Sequence, residues 1–180
     1  MTEDKAREEK VERLKCISLF DPIRHDEKAM LGIASLFRAI SFPKGHTVIT
    51  EGDEGDEIYV IKSGTVSVEK RTAQGEAYTV VELSAPMNIF FGEIALLDSE
   101  KRSATVVCVT DCTFYILGRD QFLAYGNENP AAALAVTRQL SRILCNRLRK
   151  ANADIITLFD ALVEEVEQAG GMSEDGSASA

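Results

Sequence analysis

The chain lacks any apolar run near the roughly 20 residues a helix needs to cross a bilayer. Residues 1–10 carry charge where a secretory signal would have its apolar centre. Both absences point to a cytoplasmic protein with no membrane attachment. Histidine is scarce: His25 and His46 stand apart, so the clustered ligand set of a metalloenzyme is missing. Of the cysteines Cys16, Cys108, Cys112 and Cys145, only Cys108 and Cys112 lie close, and no second pair completes a metal site. They read as buried, reduced thiols. No basic excess exists either: 20 Lys and Arg face 29 Asp and Glu, a net charge of -9, which argues against a nucleic-acid footprint spread over the chain. What remains, 180 residues with 45% hydrophobic content, suffices for one packed domain with a helical appendage at either end.

Residues 2–15 are charge-rich, with Ala6, Val11 and Leu14 as the only apolar points, and predict a solvent-facing helix. After Leu19-Phe20-Asp21-Pro22 a second helix is expected, capped by Asp26, with Met30, Leu31, Ile33, Ala34 and Phe37 as its apolar face. These N-terminal helices make up residues 1–37. Residues 38–118 are strand-like, in short β-branched runs at 39–42, 46–50, 57–62, 65–71, 78–83, 105–109 and 113–117, punctuated by Gly45, Gly52, Gly55, Gly64 and Gly75. The spacing suits an antiparallel sandwich or roll, closed as a jelly roll. From residue 119 the period turns helical, briefly at 121–124 and then, after Asn129-Pro130, along a run to about Gln168. Residues 119–168 thus form a C-terminal helical segment. Gly170-Gly171 stops it, and residues 169–180 read as a disordered tail. The fold class is mainly β with flanking helices: an antiparallel β-roll (jelly roll) with N-terminal helices and a long C-terminal helix.

Within the long helix, Leu144, Leu148, Ala151, Ile155, Leu158 and Leu162 alternate at four and three residues, a heptad seam that implies a partner helix. Its charges are segregated, Arg138, Arg142, Arg147, Arg149 and Lys150 preceding Asp154, Asp160, Glu164, Glu165 and Glu167, which opposes the helix dipole. Two accounts stay open: an anionic ligand beside the basic part, with Arg147 as candidate contact, or an antiparallel neighbour that sets basic against acidic.

The stretch 88–109 carries the most chemistry. Phe90 and Phe91 end a strand, Gly92 lets backbone approach a ligand, and Glu93-Ile94-Ala95-Leu96-Leu97 reads as a short helical turn with its amide end toward that ligand. A loop then returns the chain to Arg102, whose planar charged donors suit phosphate, before the strand that begins near Ser103 and Ala104.

Phe-Gly-Glu-x-Ala-Leu-Leu, a loop, then Arg-Ser-Ala-Thr-Val resembles the phosphate-binding cassette of cyclic-nucleotide-binding domains, of the catabolite-activator and protein kinase A regulatory-subunit type. The pattern extends upstream through Pro43-Lys44-Gly45 and residues 51–66. Two positions depart from it: Asn88 stands where a Gly is usual, and Lys101 where a Pro is usual before Arg102. The resemblance implies cAMP or cGMP as ligand and no cofactor. It assigns Glu93 to the ribose 2′-hydroxyl, Arg102 to the cyclic phosphate, the amides of Ile94 and Ala95 to the cradle, and Ser103 to phosphate or base. In dimeric bacterial relatives the base meets hydroxyls on the long helix, at positions aligned with Ala151 and Asn152. The implied protein is not an enzyme but a sensor that forms a homodimer through its C-terminal helix and signals to an unknown effector protein. Alternatives are a vestigial, non-binding roll acting as a structural dimer, and a truncated transcription regulator of the catabolite-activator type. No helix-turn-helix follows the long helix, so DNA binding is not expected.

Overall fold

The computed structural model describes residues 3–72, 74–98 and 101–171. The chain divides into two units, Met1–Leu140 and Ser141–Ala180. The first holds α1 (Glu3–Lys15), α2 (Glu27–Leu36), eight strands and α3 (Arg119–Glu128). A long helix, α4 (Pro130–Gly171), begins in the first unit and supplies the second.

The strands are β1 (Arg38–Phe42), β2 (Thr47–Ile49), β3 (Glu57–Ser63), β4 (Thr65–Arg71), β5 (Ala77–Ser84), β6 (Phe90–Phe91), β7 (Thr105–Cys108) and β8 (Cys112–Gly118). Each run expected from the sequence appears, within one residue at either end, and Phe90–Phe91 forms a strand of its own. They build two antiparallel sheets, ordered β1-β8-β3-β6 and β2-β7-β4-β5. Between them lies an apolar core of Ile49, Tyr59, Ile61, Val66, Leu83, Phe91, Val106, Phe114 and Ile116. Alternation places Ile58, Val60, Tyr115 and Leu117 on the other face of the first sheet, and these are buried as well. A sheet covered on both sides explains why β3 and β8 read as continuous apolar runs rather than alternating ones.

Helices cover that outer face, and here one expectation is corrected. The first helix faces solvent on one side only: Val11 and Leu14, one turn apart, are buried. Of the charged residues around them, Lys10 and Arg13 are half-buried over the sheet, while Asp4, Lys5, Arg7, Glu8, Glu9 and Glu12 are exposed. Lys10 Nζ donates to Phe37 O at 2.6 Å, Lys62 Nζ pairs with Glu9 at 3.0 Å, and both lysines lie near the Tyr115 ring. Long basic side chains lay their aliphatic stems on apolar surface while their heads find acceptors, which a count of apolar residues misses. The Asp26 cap is present, its carboxylate accepting from Ala29 N at 2.9 Å, and Met30, Ile33, Ala34 and Phe37 are buried.

α3 is longer than the short turn at 121–124, because Phe122 and Tyr125, three apart on one face, are both buried and extend the packing stripe. The start of α4 completes this unit through buried Val136 and Leu140, with Gln139 Nε2 donating to Ser18 O at 2.9 Å. The cysteines divide. Cys108 and Cys112 are buried, and burial pushes the Cys108 thiol up to about 12. Cys16, in the turn after α1, and Cys145, on α4, are exposed, against expectation.

In the second unit α4 is continuous through Gly171, and Leu148, Ile155, Leu158 and Leu162 are all exposed, joined by Ile156, Phe159, Val163 and Val166. Residues 169–171, expected in the tail, belong to α4, and the rest of that expected tail, residues 172–180, lies outside the described residues.

Candidate functional site

Residues 88–98 are shaped by two left-handed positions. Asn88 has φ 53°, and it closes the turn Ala85–Met87 in the place where the sequence pattern favours glycine. Gly92 has φ 74°, and a Cβ there would lie 2.9 Å from Glu57 O and 2.8 Å from Arg102 Nη1. Between them β6 pairs with β3, Tyr59 opposite Phe91 and Val60 opposite Phe90, so the cassette hangs from a central strand.

Gly92 opens a 3₁₀ turn, Glu93–Leu96, tighter than an α-helical turn. Ala95 N donates to Gly92 O at 3.2 Å, so the amide expected to face a ligand closes the turn instead. Ile94 is exposed, Ala95 buried, and Glu93 only 6% exposed. A carboxylate so enclosed needs polar partners.

Arg102 is held at both ends. Its backbone N donates to Asp53 O at 2.8 Å, and its carbonyl accepts from Gly52 N at 2.9 Å, tying it to the Gly52-Asp53 turn. Its guanidinium donates from Nη1 to Gly92 O at 3.3 Å and lies 5.9 Å from the Tyr59 ring centroid. A Cβ on Gly55 would sit 2.3 Å from Arg102 Nε, so the absence of a side chain at Gly55 makes the slot that Arg102 fills. Tyr59 stacks on Phe91, centroids 5.2 Å apart and planes 2° from parallel, and its hydroxyl donates to Glu57 at 2.8 Å. Burial, reinforced by that bond and the Glu57 charge, raises the Tyr59 hydroxyl well above its ordinary value. Glu57 in turn pairs with Arg38.

The result is a small cavity, about 60 Å³, lined by Gly92, Glu93, Ile94, Ala95, Lys101, Arg102 and Ser103. Six residues singled out in the sequence, Gly92, Glu93, Ile94, Ala95, Arg102 and Ser103, therefore converge across a break of several positions. Ala104 follows, half-buried, outside that lining. Arg147 and Asn152 belong to the second unit, where both are exposed on α4. Sequence reasoning missed Tyr59, Gly55 and the Gly52-Asp53 turn as supports of Arg102. The upstream pattern contained all of them, but nothing local in it says which distant residue they face. A larger cavity of about 320 Å³ adjoins at Ala95, lined also by Glu54, Gly55, Asp56, Asp98 and Arg119. Among the described residues no group of three or more His, Cys, Asp or Glu is arranged to hold a metal ion.

Fold and cavity together define an antiparallel roll with a small charged recess at one turn. The chain belongs to the cyclic nucleotide-binding domain family, whose match covers residues 39–129. That family is one of regulatory binding domains rather than catalytic ones. The chain is 28% identical over 134 residues to the CRP-like cAMP-activated global transcriptional regulator of Mycobacterium tuberculosis, covering 74% of this chain and 57% of that protein. It is 37% identical over 106 residues to the cAMP-dependent protein kinase regulatory subunit of Aspergillus niger, covering 59% of this chain and 24% of that one. The crystal structure of Thermus thermophilus catabolite activator protein matches with a TM-score of 0.65 at 30% identity, over 76% of this chain and 62% of that one. The chain thus spans little more than half of the mycobacterial regulator and a quarter of the kinase subunit. No described helix is long and apolar enough to cross a membrane.

Proposed function

We propose that this protein is a cyclic-nucleotide sensor: a β-roll that binds cAMP or cGMP at the Gly92–Ser103 recess and signals through its helices. Arg102 pairs with the cyclic phosphate, and Glu93 accepts a hydrogen bond from the ribose 2′-hydroxyl. Ser103 lies next to the phosphate or base. Arg147 and Asn152 on α4 carry polar groups suited to a nucleotide, the Asn152 amide able both to donate to and to accept from a purine edge. The single observation that carries this reading is the convergence of a buried carboxylate and a slotted guanidinium, from separate segments, on one cavity. A buried anion needs a fixed cation and oriented donors to offset its lost hydration, and a ribose cyclic phosphate presents an anion and a hydroxyl donor side by side. The similarity to a cAMP-activated regulator and to a cAMP-dependent kinase subunit supports the same ligand class.

The second part of the proposal is that α4 forms a homodimer interface, through which ligand occupancy reaches an effector protein. Its support is the exposed apolar seam from Leu148 to Leu162. Isothermal calorimetry of the purified protein with cAMP, cGMP and 5′-AMP tests the ligand assignment. Heat with a cyclic nucleotide and none with 5′-AMP is expected; no heat with either cyclic nucleotide overturns the reading.

A further inference from the structure

The recess contains one residue that the family pattern does not supply. Lys101 stands where proline is usual, and it lines the same cavity as Glu93 and Arg102. It is exposed, whereas Arg102 is half-buried and engaged with Gly92 O and the Tyr59 face.

Charge balance gives this position meaning. Of the charged groups lining the recess, Glu93 and Arg102 cancel, so without Lys101 a phosphodiester would enter a neutral site and leave it negative. The surroundings worsen that balance: the adjoining cavity carries Glu54, Asp56 and Asp98 against Arg119 alone, and the whole chain has a net charge of -9. An anion brought toward such a surface is repelled before it is bound. With Lys101 the lining carries a single net positive charge, matched to one phosphodiester. Resting on the reading of this recess as a cyclic-nucleotide site, we infer that Lys101 is a second ligand-reading cation. It pairs with the outward phosphate oxygen while Arg102 holds the phosphate from the Tyr59 side. The flexible ammonium is exposed and screened by salt, whereas the slotted guanidinium is neither freely mobile nor fully solvated.

The two cations are therefore distinguishable by ionic strength. Calorimetry with cAMP is run on wild type, Lys101→Ala and Lys101→Arg at about 50 mM and about 0.5 M salt. Lys101→Ala is expected to lose roughly three- to tenfold in affinity at the lower salt and about twofold or less at the higher, with a flatter salt dependence than wild type. Lys101→Arg is expected to retain wild-type affinity and slope, because charge and not ammonium geometry is required. Lys101 is exposed, so neither change threatens folding, and unchanged melting curves verify that. Wild type that binds with an affinity and salt slope shared by Lys101→Ala overturns the Lys101 assignment alone. Wild type that binds no cyclic nucleotide overturns the underlying reading and this inference with it.

Discussion

Arg13 and Asn88, 75 residues apart, are joined by a hydrogen bond of 2.5 Å from Arg13 Nη1 to Asn88 Oδ1. The same guanidinium donates to Ala85 O at 2.5 Å and to Ile61 O at 2.7 and 3.1 Å. One side chain of α1 thereby ties the helix to β3 and to the left-handed turn from which β6 and the cassette start. Arg13→Ala leaves two backbone carbonyls and an amide oxygen without this donor, at an expected cost of about 1 to 3 kcal/mol in urea unfolding. Asn88→Gly keeps the positive φ and removes one acceptor, so it should cost less. An unchanged midpoint for Arg13→Ala would show that water replaces the clamp at no cost.

Gly55→Ala tests the slot around Arg102. The new methyl would lie 2.3 Å from Arg102 Nε and 2.7 Å from Cζ, so the guanidinium must leave its place over Tyr59. The backbone bonds of Arg102 to Gly52 and Asp53 do not depend on that rotamer. Stability should stay within about 1 kcal/mol of wild type while cAMP affinity falls by roughly tenfold or more. Equal affinity in calorimetry would mean that Arg102 reaches the ligand from another rotamer.

These supports mark where the sequence stops being legible. The strands were readable because β-branched runs alternate with glycine turns, a local signal. Glu93 and Arg102 were readable because the cassette is nearly contiguous. The dependence of Arg102 on Gly55 was not, since it arises only when two loops meet across the sheets. The buried face of α1 is illegible for a related reason: Arg13 and Lys10 look like solvent charges until carbonyls of β3 and of residue Phe37 are brought beneath them. Ala95 shows the converse, a residue in the expected place whose amide closes the turn because the chain there is 3₁₀ rather than α-helical.

Tyr59 should leave a signature at alkaline pH. Its hydroxyl is buried and donates to Glu57, so it holds its proton above the usual value near 10. The folded chain binds that proton more tightly than the unfolded chain. The associated stability is complete below the unfolded value and is lost as pH rises past it. Above about pH 10 the thermal midpoint of wild type should fall more steeply than that of Tyr59→Phe, which starts lower by about 1 kcal/mol for the lost hydrogen bond. Parallel slopes in a differential scanning series would remove Tyr59 from the alkaline transition.

The seam on α4 makes a prediction independent of ligand. Leu148 and Leu158 are 62% and 70% exposed, and a row of such residues facing water is costly. Analytical sedimentation should give a dimer at micromolar concentration, and Leu148→Glu should dissociate it. Wild type that sediments as a monomer with and without cAMP would sink the dimer.

Arg102 and Glu93 should fail differently if the recess holds a ribose cyclic phosphate. Arg102→Leu removes the charged partner of the phosphate, with an expected loss of about 2 to 5 kcal/mol, or roughly 30-fold to several thousandfold in affinity, for every cyclic nucleotide. Glu93→Ala should penalise only ligands with a free 2′-hydroxyl, by about 1.5 to 3 kcal/mol, the scale of a hydrogen bond to a charged group. The 2′-deoxy analogue of cAMP has no such donor and should bind wild type and Glu93→Ala alike. Titrating wild type and each variant with cAMP and 2′-deoxy-cAMP completes a double cycle whose coupling term isolates the carboxylate–hydroxyl contact. Glu93 is buried at the start of the turn that follows Gly92, and a carboxylate that only organised that turn would, on removal, weaken both ligands equally. Equal losses therefore assign Glu93 to organising the turn, whereas wild-type affinity in Arg102→Leu removes the phosphate contact from the recess altogether.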